Sequence, residues 1–331
     1  MTAKSWVLSL SIILLLYGVI ETLLWIQAIN PYWEQVIQYA LIVTITSLGL
    51  NIIYGYTGQF SLGHAAFYGI GAYFSALMVK GLALEGAASF FLALLSGAMA
   101  AALVALLVGL PILRLRSDYL GIATLGFGIM VKVALDNLDR LIPMMGGSRG
   151  MSGIPKLTNF TITYFLAVAA IIFLRNFVYS SQGRACISIR EDEIAAETMG
   201  INTTKYKTLA FVMGCFYAGL AGGLYAHLYV FLHPSNFDFL KSFDPLLIVV
   251  LGGLGSMSGT IVAAIGWTFL LEGLRVILPP QILDWRMVIY PLLLIAVMLL
   301  RPQGLLGGSE FAFLKANSVD GPRDRHEGSR D

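Results

Sequence analysis

The densest run of ionisable side chains between two apolar stretches is Ser180–Lys207, SSQGRACISIREDEIAAETMGINTTKYK. Arg190, Glu191, Asp192, Glu193 and Glu197 can form ion pairs, and the acidic residues suit the first turns of a helix, where they complement its dipole. The spacing predicts one helix over Ile187–Met199, with Gly200 as its stop in the position that favours a left-handed residue. Ile187, Ile194 and Met199 give it an apolar edge around the small residues Ala195 and Ala196. Such a helix is too polar to cross a bilayer and too charged for a core. It is either a solvated loop helix or a docking helix that another protein grips.

A second group is built from breaks. Asn51, Thr57, Gln59, Ser61, Gly63 and His64 interrupt two apolar runs, and Gly253, Gly255 and Ser256 lie in a similar break, GGLGSMSG. Irregular backbone at membrane depth survives only where protein buries it or where it lines a cavity. A helix beginning near Ser61 would aim its positive end into such a cavity and steer a carboxylate there. The plainer alternatives are a short turn between helices at the first break and close packing through glycine at the second. Lys132 and Asp136, four apart, and Glu272 and Arg275, three apart, are spaced to pair along helix faces. The histidines, His64, His227, His233 and His326, are dispersed, which argues against a metal centre or a hydrolytic site. Cys186 and Cys215 are the only cysteines and fit no ligand spacing or disulfide framework.

The elements that must position these residues are membrane helices. Charged residues are 12% of the 331 and apolar residues 57%, with mean hydropathy +0.79, whereas a soluble domain carries about 25% charged residues. A net charge of +2 does not point to nucleic acid. About ten apolar segments follow, near 7–26, 35–54, 60–79, 87–110, 119–138, 160–179, 206–229, 243–254, 259–278 and 286–300; the eighth is short enough for a half-helix. The expected fold is all-α, a polytopic transmembrane bundle with a cytoplasmic helix between segments six and seven. Most Lys and Arg, including Arg184, Arg190, Lys205, Lys207 and Arg301, fall on one side if all ten segments cross, which places both termini in the cytoplasm. Residues 1–307 are expected to form the membrane domain and 308–331 a disordered cytoplasmic tail, polar and mixed in charge. The chain has no G-x-x-x-x-G-K-[ST] loop, so energy from ATP would have to come through a partner.

The stretch ISIREDEIAAETMGINTTKYKTLAFVMGCFYAGLAGGLYA resembles the coupling region of ABC importer permeases, and its REDE-x-AA form is similar to the branched-chain amino-acid permease family of the LivM type. GYTGQFSLGHAAFYGIGAY (55–73), DYLGIATLGFG (118–128), GGSRGMSGIP (146–155), VVLGGLGSMSGT (249–260) and LRPQGLLG (300–307) agree in the family's order, over roughly residues 40–307. The 146–155 stretch departs from the family's Thr-Gly-Gly-x-Asn-Gly form at Met145 and Ser148–Arg149. The resemblance implies a permease subunit of the bacterial inner membrane for branched-chain or other hydrophobic amino acids. It implies a second, homologous permease, two ATPase subunits that bind ATP and Mg, and a periplasmic binding protein; the chain itself would hold no cofactor and would not be an enzyme. Arg190–Glu193, Ala195–Glu197 and Gly200 would then be the coupling helix, and the two breaks would line the pathway. A permease of the same kind for urea or short amides, and an ion-coupled secondary transporter, are the alternatives.

Overall fold

A computed structural model describes residues 3–81, 86–113 and 117–277, together with 292, 295, 299–301, 303–306 and 310–311. The tenth apolar segment falls largely outside these residues, as does most of the 308–331 tail. Eleven α-helices are described: α1 (Ala3–Trp25), α2 (Pro31–Leu50), α3 (His64–Gly81), α4 (Ala87–Ile112), α5 (Ser117–Asp136), α6 (Phe160–Val178), α7 (Ser181–Glu191), α8 (Glu193–Thr198), α9 (Thr203–Tyr229), α10 (Phe243–Gly252) and α11 (Met257–Ile277). Six of them are long and apolar enough to cross a membrane, counting α2 with the turn that extends it, along with α4, α5, α6, α9 and α11. The all-α bundle expected from the apolar segments is what forms.

The central element is α9, packed against α2, α3 and α4. Asn202 starts it by accepting a bond from Lys205 N at 3.0 Å. In lipid the apolar effect does not drive helices together, so contact depends on small residues that admit close packing. Gly71 of α3 meets Gly219 of α9 so closely that a Cβ on Gly71 would stand 2.2 Å from the Gly219 oxygen. Around this seam Ile53, Phe67, Phe211, Ala101 and Ala105 form one buried cluster, while Ile45, Leu48, Leu174, Tyr217 and Leu224 belong to another shared by α2, α6 and α9. α1 lies outermost, with Tyr17 against Phe160, Tyr164 and Phe165 of α6.

Two crossings are broken. α2 runs on into a π-helical turn, Asn51–Tyr56, closed by the Thr57 hydroxyl donating to Ile52 O at 2.9 Å. Residues 57–63 then climb back without helix, and α3 begins at His64, three residues later than the start expected near Ser61. His64 Nε2 lies 3.0 Å from Thr46 O, so α3 starts roughly 15 Å up α2 from Tyr56 at 1.5 Å per residue. Side chains satisfy the irregular backbone, as burial at that depth demands: Thr124 Oγ1 accepts from Leu62 N and Ser242 Oγ from Ala65 N, each at 3.0 Å.

The second broken crossing runs the other way. After α9, Leu232 pairs with Met151 of the 146–155 loop, and two 3-10 turns, Pro234–Phe237 and Phe239–Ser242, lead inward to α10. α10 is a half-helix of ten residues, one of the forms that the short eighth segment allows. The break after it brings Gly255 N to Asn51 Oδ1 at 3.1 Å, and α11 returns beside α2. Each broken crossing thus joins an irregular stretch to a helix, and the two meet where Ser242, which precedes α10, accepts from Ala65 N in the first turn of α3. Lys132 does not pair with Asp136 as its spacing suggests; it reaches Asp238 of the inward segment at 3.6 Å. Glu272 and Arg275 do pair, at 3.5 Å, and Tyr32 donates to Glu272 at 2.8 Å.

Candidate functional site

The polar segment 180–207 folds as two helices, where the sequence suggests one over Ile187–Met199. Asp192 divides them: its backbone is extended (φ −158°, ψ 112°) and its carboxylate accepts from Ile194 N at 2.9 Å and Ala195 N at 3.0 Å. A short acid that can bond the backbone is a stronger helix start than a helix interior, so α8 restarts there. Gly200 ends α8 as expected, with φ +84°. Gly200 N bonds Glu197 O at 2.9 Å and Ile201 N bonds Ala196 O at 3.0 Å, the paired pattern of a Schellman stop.

The acidic side chains hold this pair of helices to their own chain. Arg190 and Glu191 pair at 2.6 Å, Glu193 and Lys207 at 2.5 Å, and Glu197 accepts from the Thr203 hydroxyl at 2.7 Å. α7 buries Gly183, Ala185, Cys186 and Ile189, and burial pushes the Cys186 thiol up to about 11. α8 and its C-cap also leave apolar side chains outward beside the exposed Glu193 and Glu197: Ile194 is 76% and Met199 82% exposed, while Ala196 is buried and Ala195 is not.

Arg190 joins the two groups that stand apart in the sequence. Its Nη1 donates to Gly55 O at 2.7 Å. Its stem runs past Gly58, and its guanidinium lies against Gly255, where an added Cβ would stand 2.6 Å from Nη1. Asn51 completes the knot: Nδ2 donates to Ser256 O and Thr260 Oγ1, both at 3.1 Å, and Oδ1 accepts from Gly255 N. Gln59 donates to Lys207 O at 3.1 Å at the start of α9. α7, the end of α2, the break before α11 and the foot of α9 therefore form one hydrogen-bonded unit.

The break residues separate into two levels. Asn51, Thr57, Gln59, Gly253, Gly255 and Ser256 gather at the α7 end with Arg190. Ser61, Gly63 and His64 lie deeper; an added Cβ on Gly63 would stand 2.4 Å from Thr124 O of α5. The side chains of Asn51, Thr57, Gln59, Ser61, His64 and Ser256 are all buried in this chain. Thr57 and Gln59 reach the edge of a groove of about 860 Å³ between Leu113, Leu120 and the α7–α8 pair.

Sequence reasoning missed a third member of the break. Glu310 caps α11, accepting from Met257 N at 2.6 Å and Ser258 N at 3.0 Å and bonding the Ser258 hydroxyl, while Leu305 N bonds Leu251 O at 2.8 Å. Only the glycines of LRPQGLLG hinted that this segment folds back on the chain. Among the described residues no three His, Cys, Asp or Glu side chains group as a metal would need. What this arrangement can do is pass a displacement of α7–α8 to the two broken crossings.

Residues 11–298 match the family model described as branched-chain amino acid transport system, permease component. The chain is 33% identical over 300 residues to the high-affinity branched-chain amino acid transport system permease protein LivM of Salmonella typhimurium, covering 80% of this chain and 68% of that protein. It is 34% identical to LivM of Escherichia coli strain K12 over the same shares. It is 28% identical to LivH of Salmonella typhimurium, over 82% of this chain and 92% of that one. No solved structure matches.

Proposed function

The chain belongs to the branched-chain amino acid transport permease family, and from that premise we propose that it forms the membrane pathway of an ATP-driven importer for branched-chain or other hydrophobic amino acids. It is a multi-pass membrane protein and a permease subunit of an ABC transporter. Its pathway is completed by a second, homologous permease, as the similarity to both LivM and LivH suggests. Two ATPase subunits bind ATP and Mg, and a binding protein on the opposite face delivers the amino acid.

The observation that carries this reading is the Arg190 bridge. α8 and its C-cap present exposed Ile194 and Met199 to a partner, while Arg190 at the end of α7 holds Gly55 and lies against Gly255. A partner that shifts α8 therefore moves both breaks as one body, the kind of rigid displacement that packed elements transmit. The α7–α8 end faces the cytoplasm, in keeping with Arg184, Arg190, Lys205 and Lys207 clustered there.

Reconstitution of the full complex in proteoliposomes tests the energy source and the cargo together. Uptake of leucine, isoleucine or valine that depends on ATP and stops with vanadate is the expected result. Uptake insensitive to vanadate but abolished by an uncoupler would sink it. Transport of urea or short amides in preference to amino acids would keep the machine and replace the cargo.

A further inference from the structure

Where the two broken crossings meet, the protein forms a half-open cavity of about 110 Å³. About 10–15 Å³ of such space holds one water, so the cavity admits a solute of several heavy atoms. Its lining is divided. Tyr39 of α2, Tyr68 of α3, Tyr225 of α9 and Pro245 of α10 give an aromatic and apolar wall, with the rings of Tyr68 and Tyr225 centred 5.6 Å apart. Facing them are one cation and one anion, Lys241 and Asp244, with Nζ and Oδ2 3.7 Å apart. The two are not sealed against each other: their side chains are 55% and 41% exposed. Charges within a membrane bundle usually face each other or a pathway; this pair faces itself and opens onto the cavity.

The backbone adds to the asymmetry. The cavity touches Ala65 in the first turn of α3 and Asp244 and Pro245 in the first turn of α10. Two helix N-termini, positive by their dipoles, therefore border the same space as Lys241. Neither coupling nor the α7–α8 knot uses these residues.

We propose that this cavity is a transit site for a zwitterionic amino acid with an apolar side chain. Asp244 receives the ammonium, Lys241 and the adjoining helix starts receive the carboxylate, and the Tyr39–Tyr68–Tyr225 wall receives the side chain. The assignment rests on the reading of the chain as an amino-acid permease and adds the residues that hold the cargo in passage.

Asp244→Asn and Lys241→Gln, each in the reconstituted complex with its loaded binding protein, test it. An exposed pair at this spacing contributes little to folding, so assembly and binding-protein-stimulated ATPase should stay within about twofold of wild type. Amino acid moved per ATP should fall by about tenfold or more, the scale of one lost charged hydrogen bond. The double exchange Lys241→Asp with Asp244→Lys keeps an ion pair but reverses its polarity, and transport should stay low. Wild-type transport per ATP in both single variants overturns the proposal, as does its recovery in the exchange or a parallel fall of ATPase and uptake. Independently of uptake, a Val43→Cys substitution in the wall should react with a small thiol reagent more slowly when leucine is saturating; equal rates overturn it as well. A wild-type complex that hydrolyses ATP yet moves no branched-chain amino acid overturns the cargo reading and this assignment together, whereas failure confined to the variants bears on the cavity alone.

Discussion

Arg190 is the residue that ties α7 to both breaks. Its partner is a backbone carbonyl, that of Gly55, and carbonyl partners leave no mark on residue types. What the sequence does show is the room left for it, in Gly58 and Gly255 on either side. Arg serves here because one planar fork reaches Gly55 O through Nη1 and Glu191 through Nε and Nη2, a division that a single ammonium does not reproduce. Arg190→Ala forfeits a charged hydrogen bond worth about 1.5 kcal/mol for a partly screened group. Uptake should fall roughly tenfold, Arg190→Lys should fall between, and membrane insertion of both should match wild type; equal uptake in all three would remove Arg190 from coupling. A neighbour gives a check on the packing itself. Burial holds the Cys186 thiol near 11, so it stays protonated at neutral pH and gains thiolate only as pH climbs toward that value. Maleimide at pH 7.5 should leave Cys186 unlabelled in the folded complex and label it once the chain is unfolded in detergent, as mass spectrometry of the peptide would report.

At the scale of elements, the apolar runs located nearly every helix, because a bilayer demands long unbroken stretches of apolar residues and the breaks between them are polar. Two kinds of detail lay beyond that pattern. The division of 180–200 into α7 and α8 turns on Asp192, whose carboxylate can complement a helix dipole from inside the first turn or cap a new helix from outside it; composition is the same in both cases, and only the packing of Ile189 and Ala196 against the bundle decides. The partner of Lys132 was likewise hidden, since Asp238 belongs to a segment that re-enters the bundle from a distant part of the chain. The split has a functional consequence. α8 uses Glu193 and Glu197 to hold its own foot, through Lys207 and Thr203, and both acids stay exposed. Its outward face also carries exposed Ile194 and Met199, which on the proposed reading meet the ATPase subunits. Ile194→Asp combined with Met199→Asp should abolish co-purification of the ATPase subunits while leaving the thermal stability of the permease within about 0.5 kcal/mol, as is usual at exposed sites. Retained ATPase together with normal uptake would move the docking surface elsewhere.

For the molecule as a whole, two broken crossings of opposite sense meet where Ser242 Oγ accepts from Ala65 N, and the unit that joins α7 to both breaks lies at one end only. That arrangement gives the permease a direction. A push at the α7–α8 end reaches Gly55 and Gly255 first, and through α10 it reaches the first turn that borders the cavity; a push at the other end meets the 146–155 loop, which Lys80 holds by its bond to Ser152 O at 2.6 Å and Leu232 holds by strand-like pairing with Met151. The order of events in an importer then depends on which end lies in the cytoplasm. The distribution of Lys and Arg favours α7–α8 there, because moving Arg184, Arg190, Lys205 and Lys207 across the bilayer during insertion is unfavourable, and on the proposed reading the ATPase subunits dock on that side. Single cysteines settle it. A cysteine at Met199, 82% exposed on α8, should react with a membrane-impermeant maleimide only in inverted vesicles. A cysteine at Ser152, exposed in the loop at the far end, should react only in intact spheroplasts. The reverse pattern would place the α7–α8 pair out of reach of any ATPase, and with it would fall the link between the Arg190 knot and ATP.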